Sequence, residues 1–468
     1  MAVEWTGLGP EVLLGLTRDG AQPLGAQLQD QLRAAIRTGR LAAGERLPSS
    51  RSLATELDVS RGLVVDTYAQ LEAEGYLTTR PGSGTRVAPG IVDHAPPTVD
   101  AAPVPARIEI DFEYGVPDLA SFPMRDWQWA LAEAGRRLPI RALSDETTGG
   151  AALREVVAAY VRRVRGAAAV AEQVVICAGF RQGLNVVLGA LAAGGARTVA
   201  LEDPGQELHA AIARRAGLVP VPVPVDAGGV VVDAVVASGA QVVVLTPAHQ
   251  SPTGVVLAPE RRLQLVAWAE STGAVLVEDD YDAEFRYDRQ PVGSLQGLAA
   301  ERVVSMGSVS KTLAPGLRLG WIVTPPPLRD AVVEEKQLLG RGAPALDQEA
   351  LAVLIESGRF DRHLRRMRGT YQRRREVLVT ALAEHAPAAR LSGLAAGHHA
   401  VVDLPSGVEE GRVVAEARAR RVAVTGMSTY RADGHDVPAQ LVLGFGNLTE
   451  SSIRRGVVTI ADLLRGDV

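Results

Sequence analysis

The 468-residue sequence predicts an α/β chain in two parts: a small helical head ending in a two-stranded wing, then a large domain whose mainly parallel sheet lies between helices. Three observations predict this. Apolar residues recur at helical spacing through the N-terminal segment; a Pro- and Ala-rich stretch follows; beyond it, apolar strand-like runs alternate with helical stretches. The length exceeds one ordinary core, so two or three domains are expected. Hydrophobic content of 47% with 22% charged residues describes a soluble globular chain and excludes a disordered one. A formal net charge of −5 excludes a global basic field, so any surface for a polyanion must be local. The single cysteine, Cys177, lies in apolar VVICAG, which excludes an internal disulfide, fits a reducing compartment and suggests a buried structural thiol. No basic-then-apolar leader and no uninterrupted apolar run of membrane-spanning length is present, so no membrane association and a cytoplasmic location are expected.

Residues 1–88 form the head. Leu24, Leu28, Leu32 and Ile36 recur every four positions up to Gly39, the stripe of an amphipathic helix. Ser49 or Ser50 then caps a short helix through Leu57, Asp58-Val59 turn, and Ser60 caps a second helix with Leu63, Val64, Tyr68 and Leu71 inside. Two short helices about such a turn are a helix-turn-helix, whose second helix offers its N-terminal residues to a DNA major groove. YLTTRPGSGTRV reads as two strands around a Pro-Gly-Ser-Gly turn. Residues 23–88 hold eight arginines against seven acids, a balance of 8 − 7 = +1, so charge alone leaves a protein-binding module open. Arg46, Arg51, Arg61, Arg80 and Arg86, however, cluster at helix starts and wing, where phosphates would lie.

Residues 89–110, rich in proline and alanine, read as a semi-rigid linker. In 111–468 the runs QVVICAG, TVALED, QVVVLTP, AVLVEDDY, RVVSMGS and GWIVTP are candidate strands, most of them apolar throughout as buried parallel strands are. Many end in polar or small residues, where ligand sites of such sheets form. SMGSVSKTLAPGLRLGW holds Lys311, one of only two lysines in the chain. An amine that must lose its proton and form a Schiff base needs lysine, because arginine stays charged. Ser308, Ser310 and Arg318 are donors suited to a phosphate beside it, a combination that points to pyridoxal phosphate (PLP). The backbone of Phe180 and Arg181 opens a helix after Gly179, a further phosphate site. Asp279 could pair with a protonated pyridine nitrogen, and Tyr281 could hydrogen-bond the ring oxygen. Taken singly, a surface lysine, an ordinary acidic loop and an empty strand-Gly-helix turn stay open. His249 is read as a loop hydrogen-bonder without a catalytic role, and no metal is expected.

Jointly the motifs are specific. RLPSSRSLA, VSRGLVVDTYAQLEAEGYL and GSGT resemble the winged helix-turn-helix of the GntR family across the whole head. The order DFEYGVPDLASFPMRDW, AGFRQG, EDPG, PAHQSPTG, EDDYDAEF, SVSKTLAPGLRLGW resembles fold-type I PLP-dependent aminotransferases over nearly all of 111–468. The full chain therefore resembles the MocR family of transcriptional regulators. The resemblance implies a small C-terminal α+β subdomain from about 350 to 468, and a homodimer, with a head-to-tail swapped arrangement open. It makes Lys311 the Schiff-base lysine, with Asp279 on the pyridine nitrogen and Tyr281 on the ring oxygen. Phe180, Arg181, Ser308, Ser310 and Arg318 would hold the phosphate. In the head it implies backbone contacts from Arg46, Ser50 and Arg51, and groove-facing Arg61, Gly62 and Thr67. The wing residues Arg80, Gly82, Ser83, Gly84 and Thr85 would enter the minor groove.

Three positions depart from the family pattern. Gln206 stands where an aromatic stacks on the ring, Ser251 where an asparagine meets the ring oxygen, and Val442 where an arginine grips a substrate carboxylate. Losing that arginine removes charge-assisted binding of about 1.5–3 kcal/mol. The expectation is a cytoplasmic DNA-binding transcription regulator in which PLP, or a PLP–amine adduct at Lys311, controls operator binding. Two rivals remain: an active PLP-dependent aminotransferase, and a regulator whose degenerate site binds another ligand. An arginine-dense face in the helical stretch of residues 346–385 reads as a solvated or interface face, with a second DNA surface as the alternative.

Overall fold

The computed structural model describes residues 14–18, 22–80, 84–89, 108–144, 146–287, 292–340, 342–393, 396–435 and 438–466. The chain forms two units, Met1–Pro105 and Ala106–Val468. In the first, α1 (Leu24–Arg37) buries Leu28, Leu32, Ala35 and Ile36. The Ser49 hydroxyl accepts from the Ser52 amide at 3.1 Å and starts α2 (Ser50–Glu56). Asp58, at φ 51°, turns the chain. The Ser60 hydroxyl accepts from the Leu63 amide at 3.2 Å and starts α3 (Arg61–Ala73). Strands β1 (Leu77–Arg80) and β2 (Gly84–Val87) pair antiparallel. Leu32, Leu53, Val64, Leu71, Leu77 and Val87 share one core, drawn from all five elements.

The second unit begins with β3 (Ile110–Asp111), α4 (Met124–Arg137) and α5 (Ala151–Arg165). Then β4 (Val174–Cys177), α6 (Phe180–Ala193), β5 (Thr198–Asp203), α7 (Glu207–Arg215), β6 (Val219–Asp226), β7 (Gly229–Val230), α8 (Val232–Ala237), β8 (Val242–Leu245), α9 (Pro259–Thr272), β9 (Val275–Asp280), β10 (Val303–Ser308) and β11 (Gly320–Val323) alternate along the chain. They build an eight-stranded sheet in the order β4-β11-β10-β9-β8-β5-β6-β7. Its centre, from β10 to β6, is parallel; β4, β11 and β7 run antiparallel to their neighbours. Both faces are buried. Val199, Val242, Val244 and Val277 meet α6 and α7 on one side, while Ala200, Val243, Leu245 and Leu276 meet α8 and α9 on the other. Cys177 is fully buried, and burial pushes its thiol up to about 12, as suits a structural residue.

Helices α10 (Arg329–Leu339), α11 (Ala345–Glu356) and the 27-residue α12 (Arg359–His385) lead to β12 (Arg390–Ser392), β13 (His399–Asp403), α13 (Glu410–Ala419), β14 (Val422–Ala423), β15 (Thr425–Gly426), β16 (Gln440–Gly444), α14 (Glu450–Thr459) and α15 (Ala461–Arg465). Four of these strands form an antiparallel sheet, β12-β13-β16-β15. β14 instead pairs with β3, so the start of this unit is stitched to its end. Of the 89–110 stretch, residues 90–107 lie outside the described residues; Glu109 already bonds Arg421 through its amide and carboxylate.

Candidate functional site

The carboxyl ends of the parallel strands open onto a cavity of about 370 Å³, within the range of ligand pockets. Lys311, Asp279, Tyr281, Ser308, Ser310, Arg318, Phe180, Arg181, Gln206 and Ser251 all line it, joined by Tyr114, Gly115, Leu208, His209 and Pro315. The sheet explains the convergence. Asp279 on β9 lies beside Met306 of β10, and β10 ends in Ser308, three residues before Lys311. The Pro315–Leu317 turn then brings back Arg318 in the left-handed conformation at φ 53°.

Lys311 Nζ donates to the Gly115 carbonyl. Burial holds this amine below its usual range, opposed by the carboxylates of Asp279 and Asp282 and assisted by Arg181. The Asp279 carboxyl is driven well above its ordinary range, first by burial and then by Asp280 and Asp282, with Lys311 opposing. A cation entering the cavity would relieve it. Gly179 caps α6 at φ 89°. A Cβ there would stand 3.6 Å from the Arg318 guanidinium and 3.9 Å from the Ser310 hydroxyl. Glycine thus leaves an anion-sized cup between a helix N-terminus, a hydroxyl and an arginine. These features fit PLP: a depressed amine, a buried acid awaiting a cation, and a phosphate cup.

The far wall carries two short hydrogen-bonded runs. Gln206 Nε2 donates to Ser251 Oγ at 3.3 Å, and Ser251 and the Tyr114 hydroxyl share a 2.6 Å bond. The Tyr281 hydroxyl meets His249 Nδ1 at 3.2 Å, and the same nitrogen meets Asp282 Oδ2 at 2.8 Å. His249, Asp282 and His399 have potential metal-donor atoms within 4.8 Å of one another. The 2.8 Å separation is a hydrogen bond, and His399 Nε2 donates to the Pro252 carbonyl at 3.1 Å, so the group is a hydrogen-bonded cluster. From its loop His249 thus hydrogen-bonds both Asp282 and Tyr281. His209 gave no sequence signal: its ring lies 5.4 Å from that of Phe180, and burial with Arg181 lowers its pKa to about 4, so it is neutral. Isolated histidines carry no spacing from which such placements are readable.

Val442 does not reach the cavity. It is fully buried on β16, an interior strand, against Val401 and Met427 with Tyr114 beside the cluster. A second hollow of about 540 Å³ shares Gln206 and is lined by Arg214, Tyr430 and Arg431.

In the head, Arg51, Arg61, Gly62 and Arg80 are exposed, while Arg46, Ser50, Gly84 and Thr85 are half-buried. The Arg46 guanidinium packs over Gly84, 3.0 Å from where a Cβ would stand. Arg86 Nη1 donates to the Gly44 carbonyl at 2.9 Å, bracing the wing. Gly82 and Ser83 lie outside the described residues. Thr67 requires a correction. It is fully buried, because it shares the α3 face of Val64, Tyr68 and Leu71 at spacings of three and four, so it cannot face a groove.

The model of bacterial regulatory proteins of the gntR family matches residues 24–87, and that of class I and II aminotransferases matches 109–453. The pyridoxine biosynthesis transcriptional regulator PdxR of Corynebacterium glutamicum is 34% identical over 93% of this chain and 95% of its own length. The probable rhizopine catabolism regulatory protein MocR of Rhizobium meliloti is 33% identical over 95% and 94%. The chain belongs to the MocR family. Its members join a GntR head to an aminotransferase-like domain, and this chain is accordingly a DNA-binding transcriptional regulator. Among solved structures, the α-aminoadipate aminotransferase LysN of Thermus thermophilus, complexed with N-(5'-phosphopyridoxyl)-L-leucine, superposes with a TM-score of 0.68 at 28% identity, covering 76% of this chain and 92% of that one. The large unit thus has the fold of type I PLP-dependent enzymes. Among the described residues no helix is long and apolar enough to cross a membrane.

Proposed function

We propose that this MocR-family chain binds PLP at Lys311 and that occupancy of the cavity controls its hold on an operator. The observation that carries this is the gathering of Lys311, Asp279, Tyr281, Ser308, Ser310 and Arg318 around one cavity, in a chain that also bears a DNA-binding head. PLP supplies an aldehyde for an amine and a ring that draws electron density when its nitrogen is protonated. Lys311, its amine depressed by burial, provides the nucleophile. Asp279 provides the counter-charge for the ring nitrogen. The α6 amides of Phe180 and Arg181, with Ser308, Ser310 and Arg318, hold the phosphate. Ligand control requires that one arrangement of the dimer bind the ligand more tightly than the other. The reading includes a cytoplasmic homodimer, with PLP itself or an amine as effector, whose two heads engage paired half-sites.

The buried, uncharged Val442 and the absence of an aromatic at 206 favour sensing over amino-acid transamination. The test is the visible spectrum of the purified chain with PLP, beside Lys311→Ala, together with binding to its own upstream DNA with and without PLP. A visible band lost in Lys311→Ala, with operator affinity that changes on adding PLP, is expected. A band without any effect on DNA binding, accompanied by turnover of an amino donor and a keto acid, would revive the aminotransferase reading. No band in the parent would leave the degenerate-site regulator.

A further inference from the structure

We propose that the ligand site of this chain extends past Gln206 to the Glu202 carboxylate, and that its effector is an unbranched primary diamine. One amino group engages PLP at Lys311, and the other ends as an ammonium at Glu202. The inference rests on the PLP reading and names the class of amine that site takes.

The first observation is continuity. The cavity of Lys311 and the hollow of about 540 Å³ share Gln206. Between them lies a constriction of about 20 Å³, where His209 and Ser251 of the cavity meet Leu201, Glu202 and Gly205 of the hollow. Such a space holds about one water-sized group, so whatever crosses it is thin and unbranched. A ring at position 206 would wall the cavity off at this point. The narrower, rotatable glutamine leaves a way through.

The second observation is charge. The hollow is lined by Glu202, Asp203, Glu207 and Asp433 against Arg214 and Arg431, an excess of carboxylates that favours a cation. Arg431 is engaged with the His435 and Pro438 carbonyls at 3.0 Å, and Arg214 is exposed. Asp203 and Asp433 likewise have work of their own, accepting from the Ala432 and His435 amides at 3.0 Å. Glu202 alone of the four carboxylates lines both the constriction and the hollow. Its three donors, the Thr246 amide, the Thr246 hydroxyl and Gln250 Nε2, all meet Oε2, which leaves Oε1 for a ligand. These hydrogen bonds favour the ionised carboxylate against burial, and no cation is among them. An ammonium at Oε1 supplies that counter-charge.

The third observation concerns the other end. An effector carboxylate has no grip at its usual place, because Val442 is fully buried against Val401 and Met427. Arg181, which opens α6, and Arg318, beside Gly179, belong to the phosphate cup. At Lys311 the exchange balances. The incoming nitrogen forms its double bond to the aldehyde carbon as the bond to Nζ breaks, its two hydrogens end on Nζ, and no electrons are gained or lost. The distal ammonium takes no part in this step and serves recognition only.

The experiment is isothermal titration calorimetry of the full-length, PLP-loaded chain with the α,ω-diamines of propane, butane and pentane. Each is compared with the alkylamine and the ω-amino carboxylate of the same carbon count. In the parent the best diamine should bind about 10- to 100-fold tighter than its alkylamine, the worth of a hydrogen bond to a charged group, and the amino carboxylate no tighter than the alkylamine. In Glu202→Gln the ratio of diamine to alkylamine affinity should fall to within about twofold of unity, because that charged bond is gone. Gln206→Tyr, which closes the passage, should lose the same preference. A parent without diamine preference overturns the assignment, as does a preference kept in Glu202→Gln or an amino carboxylate that outbinds the diamine. Should Glu202→Gln not fold, Gln206→Tyr is judged by the same criteria. The visible spectrum taken before titration separates the failures: no band in the parent overturns the PLP reading and this assignment together, whereas a band without diamine preference overturns this assignment alone.

Discussion

Glu202, at the end of β5, accepts from the Thr246 amide at 3.0 Å, from its hydroxyl at 2.6 Å and from Gln250 at 3.4 Å, yet burial lifts its carboxyl to about 7. The folded chain therefore keeps a proton that the unfolded chain releases near pH 4.5. The stability this gives is fully present below that pH and is lost as pH rises through 7. Glu202→Gln should abolish this dependence. The stability difference between variant and parent, from urea unfolding, should move in the variant's favour from pH 5 to pH 7 by at most about 1.4 kcal/mol per unit. A pH-independent difference would contradict the assignment. Arg318 is held in place by backbone geometry, so its loss should act locally. Arg318→Ala should weaken PLP binding roughly 10- to 100-fold, the cost of one charge-assisted phosphate contact, without lowering the melting temperature of the ligand-free chain. An equal loss of melting temperature would make Arg318 a structural residue.

Elements show where the sequence was legible and where it was not. The six apolar runs that read as buried strands are strands, because residues facing two helical layers are mostly apolar, the polar ones gathering toward the strand ends. VPVPVPVD carries no such signature, yet forms β6, which pairs with β5 along its length and with β7 only at its far end. Its prolines fall at 220, 222 and 224, so every missing N–H points to the same side, away from the β5 ladder. The cavity residues were readable where each sat in a dense motif. His209 and Tyr114 were not, because their roles exist only once separate strands converge. Thr67 was misjudged through positional resemblance, though the 64-67-68-71 spacing already placed it inside. The caps were legible, and they matter. Ser60 starts the helix offered to DNA, and Ser60→Ala should cost about 1 kcal/mol locally. Hydrogen exchange of the α3 amides should then quicken about fivefold while β9 and β10 are unaffected; uniform protection would deny the cap its role.

At the scale of the whole molecule, a chain with net charge −5 must bind a polyanion through a few local cations. The exposed Arg51, Arg61 and Arg80 are the candidates, whereas Arg86 is committed to the Gly44 carbonyl. Each phosphate contact releases condensed counterions and adds about 0.9 to the slope of log affinity against log salt. Arg51→Ala and Arg80→Ala should each flatten that slope by about 1, and Arg86→Ala should weaken binding chiefly by disturbing the wing, with little change in slope. The effector arm is separable from this electrostatic one. Under the proposed mechanism a ligand in the cavity would alter the arrangement of two heads without touching their phosphate contacts, so PLP should change affinity for a paired operator while leaving both the slope and the affinity for a single half-site unchanged. Fluorescence anisotropy on one- and two-site DNA across a salt series, with PLP present and absent, reads all of these together. A PLP effect as large on one half-site as on two would mean that the ligand acts within each head rather than on their spacing.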